Sequence, residues 1–235
     1  MLGALALGAC AAAACRGAPP PAAGATQLYF LVFLRPDPGR KPIEPAERQR
    51  IQAAHMANIQ AMARADILAA AGPMDDTPTT ISGVFVLRAP SLAEASRIAS
   101  LDPTVAERRN TADAHPWLGP AGIGSGYSRW RKGHPEAKDE MAIHVLCLMK
   151  RGPAWPGGAR PLEDHAGYVD SMRRLGLLAA AGDIDGDPSL CSVCVFKTSL
   201  LDEARRAVEM DPAVRSGRLV PELHRWWTAD RVLPW

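Results

Sequence analysis

A chain of 235 residues, 47% hydrophobic and 22% charged, can bury two cores of about 100 residues each, which excludes global disorder. Its 27 basic residues meet 25 acidic ones for a net charge of +2, so the concentrated basic face that nucleic acid demands is excluded as well. The basic residues are 22 Arg and 5 Lys, a mark of GC-rich bacterial coding that says nothing of function.

Leu2 to Cys15 is an almost unbroken run of Leu, Ala, Gly and Cys. It is shorter than the roughly 20 residues that cross a bilayer, but it fits the apolar region of an export signal. Within it, Leu7-Gly8-Ala9-Cys10 resembles a bacterial lipobox, in which Cys10 takes the lipid. Arg16 to Gly24, rich in Pro, Ala and Gly, then reads as an extended tether. Residues 1–26 are thus expected to be signal, lipobox and tether. They would hold the protein on the periplasmic side of a bacterial membrane by an N-terminal lipid only. No Lys or Arg precedes the apolar run, and nine residues precede Cys10. The alternative is an Ala-rich tail on a cytoplasmic protein. Cys15 is the poorer lipid acceptor, because Ala12 stands where a branched residue is usual.

Gln27 to Leu34 is a short continuous apolar run and predicts a buried strand. Pro45 to Ala65 places Ile51, His55, Ile59 and Met62 at helical spacing. Leu68-Ala69-Ala70-Ala71-Gly72 is expected to end that helix and enter a second strand. Ile81 to Ala89, rich in Val and Phe, predicts a third. Ser91-Leu92-Ala93-Glu94 carries a capping-box pattern and opens a second helix. A last strand should hold His115 and Trp117.

The series then repeats. Leu178-Ala179-Ala180-Ala181-Gly182 restates the earlier motif at an offset of 110, and His165 precedes Gly182 by the same 17 residues that separate His55 from Gly72. Asp102-Pro103 and His115-x-Trp117 recur at an offset of 109 as Asp211-Pro212 and His224-x-Trp226. Met141 to Met149, Leu162 to Leu175 and Leu190 to Thr198 match the first strand, first helix and third strand, and Ser199 is expected to begin the second helix. Such spacing over 60 residues marks a tandem duplication. The domains are read as 27–119 and 140–235, with a Gly-rich, then basic, linker over 120–139.

The order βαββαβ in each copy is ferredoxin-like, and both helices of such a unit cover one face of its sheet. The first strands are apolar on both faces, so the bare face needs a cover too. The expected fold is α+β, with two ferredoxin-like units packed sheet to sheet as an intrachain dimeric α+β barrel. The full barrel within one chain implies a monomer or weak homodimer.

The first-helix His, the Gly after it, the Ser-Leu-x-Glu-Ala entry to the second helix and the following Asp-Pro resemble the YCII-related (YciI-like) family of dimeric α+β barrels. The resemblance covers 27–119 and 141–227. It implies that His55 with Asp102, and His165 with Asp211, are candidate catalytic pairs. It also implies a dehydrochlorinase-like lyase or isomerase as one possible activity.

Topology independently places each His and Asp at the same end of its unit. A carboxylate on one imidazole nitrogen fixes the tautomer and raises the basicity of the other, which can then take a proton from a phenol or a carbon acid. A helix-capping role competes for both Asp residues, since each precedes a Pro suited to the first helical position. The His residues could equally be core residues satisfied by those carboxylates. His115 and His224 read as structural, Trp117, Trp226 and Trp227 as packing or pocket lining, and Arg35 and Lys150 as surface charge or an attraction for anionic substrate. Cys147, Cys191 and Cys194 read as buried small residues. The last two stand three apart in a strand and should face opposite sides. No cofactor or metal is implied. The expected partner is a small-molecule ligand, bound by an enzyme or by a non-catalytic ligand- or partner-binding module.

Overall fold

The computed structural model describes residues 25–75, 77–157 and 162–234. Cys10, Cys15 and the rest of the expected lipobox and tether lie outside them, apart from the first residues of β1. In the first half, β1 (Thr26–Pro36), α1 (Pro45–Arg64), β2 (Leu68–Pro73), β3 (Gly83–Leu87), α2 (Leu92–Ser100), the short α3 (Pro103–Ala106) and β4 (Asn110–Pro120) follow in order. The second half repeats them as β5 (Met141–Arg151), α5 (Glu163–Arg174), β6 (Leu178–Ile184), β7 (Leu190–Phe196), α6 (Leu201–Glu209), α7 (Pro212–Arg215) and β8 (Leu219–Ala229). Between the halves, α4 (Ser125–Gly133) occupies part of the expected linker.

The strands form one antiparallel sheet in the order β2-β3-β1-β4-β6-β7-β5-β8. Each half contributes four neighbours in ferredoxin-like order. The halves join edge to edge as well as face to face. One seam pairs β4 with β6 through Trp117–Ile184 and Leu118–Asp183. At the other, Met74 bridges to Trp226, and the Asp75 N–H donates to the Arg225 carbonyl at 2.9 Å. The sheet is thereby closed into an eight-stranded barrel.

The repeated Leu-Ala-Ala-Ala-Gly segments are strand throughout, because α1 has already ended at Arg64. Their glycines belong to the seams. A Cβ on Gly72 would stand 1.6 Å from the Trp227 carbonyl oxygen, and one on Gly182 would stand 2.1 Å from that of Leu118. Only a residue without a side chain lets the two halves approach so closely.

Alternation along each strand divides the apolar residues between two layers. Tyr29, Leu31 and Phe33 from β1 meet Leu146 and Leu148 from β5, together with Trp117 and Trp226, inside the barrel. Ile123 from the connector and Val232 from the C-terminal segment join this cluster and help close one end. The outer faces carry separate cores under the helices, around Phe30, Phe85 and Met62 in one half and Val145, Phe196 and Met172 in the other.

Two local expectations change. Ser91 caps α2 by accepting from the Glu94 N–H at 3.2 Å, but Ser199 does not cap α6. There Thr198 accepts from the Leu200 N–H and donates to Glu203. A register irregularity opposite Met149 and Lys150 puts Cys191 and Ser192 consecutively toward the outer layer. Cys191 and Cys194 therefore contact the same outer core rather than opposite faces. Both are free thiols, and burial pushes Cys194 up to about 12, so it stays protonated and inert at neutral pH.

Candidate functional site

The structure brings His55 and Asp102 together beneath the helices of the first half. His55 projects from α1, where Met62 is buried against the sheet, and its ring stacks on Phe85 with centroids 5.9 Å apart. Asp102 caps α3 and is completely buried. One carboxylate oxygen accepts from the Thr104 N–H at 3.0 Å and the Thr104 hydroxyl at 2.6 Å. The other lies 2.8 Å from His55 Nδ1 and accepts from Asn58 Nδ2 at 3.0 Å. His55 Nδ1 also lies 3.0 Å from the capping oxygen, so one carboxylate caps α3 and holds the imidazole at the same time.

Burial alone would push the Asp102 carboxyl up, but the bonds from His55, Thr104 and Asn58 outweigh it and hold it below its ordinary value. An ionised carboxylate only accepts, so in the neutral imidazole Nδ1 carries the proton and Nε2 keeps the lone pair. Among the described residues, no hydrogen-bond partner is found for His55 Nε2, and the side chain is 15% exposed. The network runs one step further: Asn110 donates to Thr104 Oγ1 at 3.1 Å, and Ser82 donates to Asn110 at 2.9 Å.

The second half keeps the pair and changes its surroundings. His165 Nδ1 lies 2.5 Å from Asp211, which also accepts from the Ala213 N–H as the cap of α7. Here Nε2 is occupied, 2.9 Å from the Ser192 hydroxyl, and the ring is almost fully buried. The strand registers put Gly83 where Ser192 stands and Phe85 where Cys194 stands. Asn58 has no counterpart in the pair, because Tyr168 turns its hydroxyl to the Ala207 carbonyl at 2.7 Å. Asn58 was legible in principle, one turn after His55 on the same helix. Ser192 was not, because the other copy has glycine at its position.

The remaining residues singled out in the sequence lie elsewhere. Trp117 and Trp226 are inside the barrel, with the sheet between them and the histidine pairs, so they do not line a pocket opening on His55 or His165. Trp227 is half-buried, and its indole N–H reaches Asp75 at 3.4 Å. His115 bridges the halves, with Nδ1 2.8 Å from Asp187 and Nε2 3.1 Å from Asp113. His224 pairs with Glu222 at 3.0 Å. Arg35 lies 3.7 Å from Asp113, and Lys150 pairs with Glu222, so both cations are already engaged within the protein. Among the described residues, no group of three or more His, Cys, Asp or Glu side chains is placed to hold a metal ion. No helix among them is long and apolar enough to cross a membrane.

Residues 28–112 match the YCII-related domain. The match covers β1 through the start of β4, and so includes His55, Asn58, Asp102 and Thr104. No curated relative matches the chain by sequence. Among solved structures, one described as a candidate chlorite dismutase superposes with a TM-score of 0.53 at 9% identity, covering 87% of this chain and 96% of the other. A variant of the chlorite dismutase of Candidatus Nitrospira defluvii gives 0.52 at 14% identity, covering 86% and 91%. At such identity the likeness establishes the dimeric α+β barrel fold and nothing about the reaction.

Proposed function

We propose that the chain is a small-molecule enzyme of the lyase or isomerase type, with His55 as the base and Asp102 as the residue that positions it. The observation that carries this is the difference at Nε2. In the first half that nitrogen has no hydrogen-bond partner among the described residues, whereas in the second half Ser192 occupies it. His165 and Asp211 then serve as a structural counterpart of the working pair. The same reading keeps Cys10 as the lipid attachment point and the closed barrel as a monomer or weak dimer.

His55 Nε2 would take a proton from a carbon beside a carbonyl, or from a phenol, while Asp102 stabilises the imidazolium that forms. Return of that proton at another atom is isomerisation. If a halide leaves instead, the C–H electron pair becomes the new double bond, the halide departs with its bonding pair, and the proton passes to solvent. This second course is what the YCII resemblance favours.

Solvent deuterium incorporation into a panel of enolisable and halogenated ring compounds, followed by mass spectrometry, tests the proposal. Wild type and His165→Gln should catalyse exchange, and His55→Gln should not. Exchange that survives His55→Gln would refute the assignment. No exchange with any compound would leave the non-catalytic binding module as the better reading.

A further inference from the structure

The outer face of the first half holds an open cavity of about 500 Å³ beside the Asp102 network. Its lining includes Arg40, Lys41, Arg48 and Arg109 together with Thr104 and Asn110, and no carboxylate. Thr104 donates to Asp102, and Asn110 donates to Thr104, so the cavity touches the positioning network of His55 without being lined by His55 itself. Ile51 also lines it, and stands one turn before His55 on the same face of α1.

The cations are not spent on neighbouring acids. Among the described residues no carboxylate pairs with Arg40, Lys41 or Arg48, and Arg109 donates to the Lys41 carbonyl at 2.5 Å. The nearby acids are otherwise engaged: Glu47 and Glu107 hold Arg50, and Asp37 accepts from the Gly39 N–H and lies 3.5 Å from Arg108. Glu44 stands one turn before Arg48 at the start of α1.

The duplicated half serves as an internal control. There Ala213 replaces Thr104, and Leu219 replaces Asn110 at the matching register of the last strand. Arg218, which stands where Arg109 does, is drawn into pairing with Asp164 and donates to Ser216 at 2.7 Å. Trp155 packs onto the outer core of that half. His55 lies ten residues into α1 but His165 only two into α5, so the extra turns of α1 are what supply Arg48. One copy has a cationic cavity with a polar floor, and the other has neutralised and greased the equivalent place.

The geometry points to a binding site for a small oxyanion ligand, carrying a carboxylate or a phosphate, in the Arg40–Arg48–Arg109 cavity. Guanidinium groups match both anions bidentately, and the volume suits a ligand of metabolite size, for which about 300–1,000 Å³ is usual. This deepens the preceding proposal, and rests on it only for the idea that the ligand is a substrate: the anionic end is held in the cavity and the rest extends along α1 toward His55.

Calorimetric titration of the full chain with citrate and, separately, with inorganic phosphate tests the site and distinguishes the two chemistries. At least one should bind saturably, and Arg40→Gln with Arg48→Gln should weaken it tenfold or more. Both side chains are exposed, so the fold is not at risk. Arg129→Gln with Arg205→Gln, which removes the same charge from α4 and α6, should change affinity less than twofold. His55→Gln should leave anion binding intact even where it abolishes deuterium exchange, which separates failure of this site from failure of the acid–base reading. Failure of both anions to bind, or equal weakening by the control pair, would overturn the inference.

Discussion

Asp102→Asn is the most informative single change, because every group facing that carboxylate is placed to donate. One oxygen receives the Thr104 N–H and hydroxyl, the other Asn58 Nδ2, and His55 Nδ1 sits 2.8 Å from the second and 3.0 Å from the first. An amide must turn its NH2 toward one side or the other. Facing Thr104, it would oppose a fixed backbone N–H and uncap α3. Facing His55 and Asn58, it meets groups that can adapt, by changing tautomer and by flipping an amide. The second arrangement is therefore expected, with the proton moved from Nδ1 to Nε2. The cost is the loss of charge-assisted bonds at a fully buried site, about 2–3 kcal/mol, or roughly 4–12 °C in Tm for a chain of this size. The acid dependence follows from the lowered Asp102 carboxyl. Its stabilisation is fully present above the ordinary carboxylate range near about 4 and is lost as pH falls through the lower folded value. The Tm gap between wild type and variant should thus be widest from neutral pH down to about 5 and close in stronger acid. Melting curves across pH, with nitrogen-15 NMR of the His55 ring assigned by His55→Gln, measure both effects. A His55 that keeps its Nδ1 proton, with a Tm loss under about 1 °C, would refute the argument.

Ser192→Ala should expose His165 Nε2, raising its reactivity toward diethyl pyrocarbonate to that of His55, at a cost of about 1–2 kcal/mol in chemical denaturation. Gly72→Ala or Gly182→Ala must push a seam apart by close to an ångström or more, so a loss of about 3 kcal/mol, near 6–12 °C in Tm, is expected by calorimetry. Residues 27–119 expressed alone should self-associate in sedimentation, since they lack both seam partners and the cover for the inner face; a well-folded monomer would count against the barrel. Cys10→Ser should move the protein from the membrane to the soluble fraction in cells; a wild type that is already soluble and unlipidated would remove the lipobox reading.

The barrel was legible because the duplication printed the same punctuation twice, and because β1 is apolar on both faces. The alternation of Tyr29, Leu31 and Phe33 with Phe30, Val32 and Leu34 encodes an inner and an outer core. The pairing of His55 with Asp102 followed from topology, since α1 begins and α2 ends at the same end of the sheet. What could not be read were contacts between residues with no shared period. His115 meets Asp187 from a loop of the other half, and Ser192 reaches His165 from a position where the first copy has Gly83. The connector was underestimated for a related reason. Ile123 is one apolar residue among glycines, and only the closed end of the barrel gives it something to fill.

The two seams also set an order of events on the ribosome. The edge β2 presents near residue 72 is answered by β8 near residue 227, which is made only after β3 to β7. The β4 edge finds β6 much sooner. While synthesis proceeds, the first half can build its own four strands but must wait with a strand edge exposed. Such an edge can pair with any complementary strand it meets. In a crowded polysome the nearest candidate is the second half of a neighbouring nascent chain. A swapped, chain-linked assembly is then the misfolded product to expect, and slow elongation through residues 141–229 should favour it.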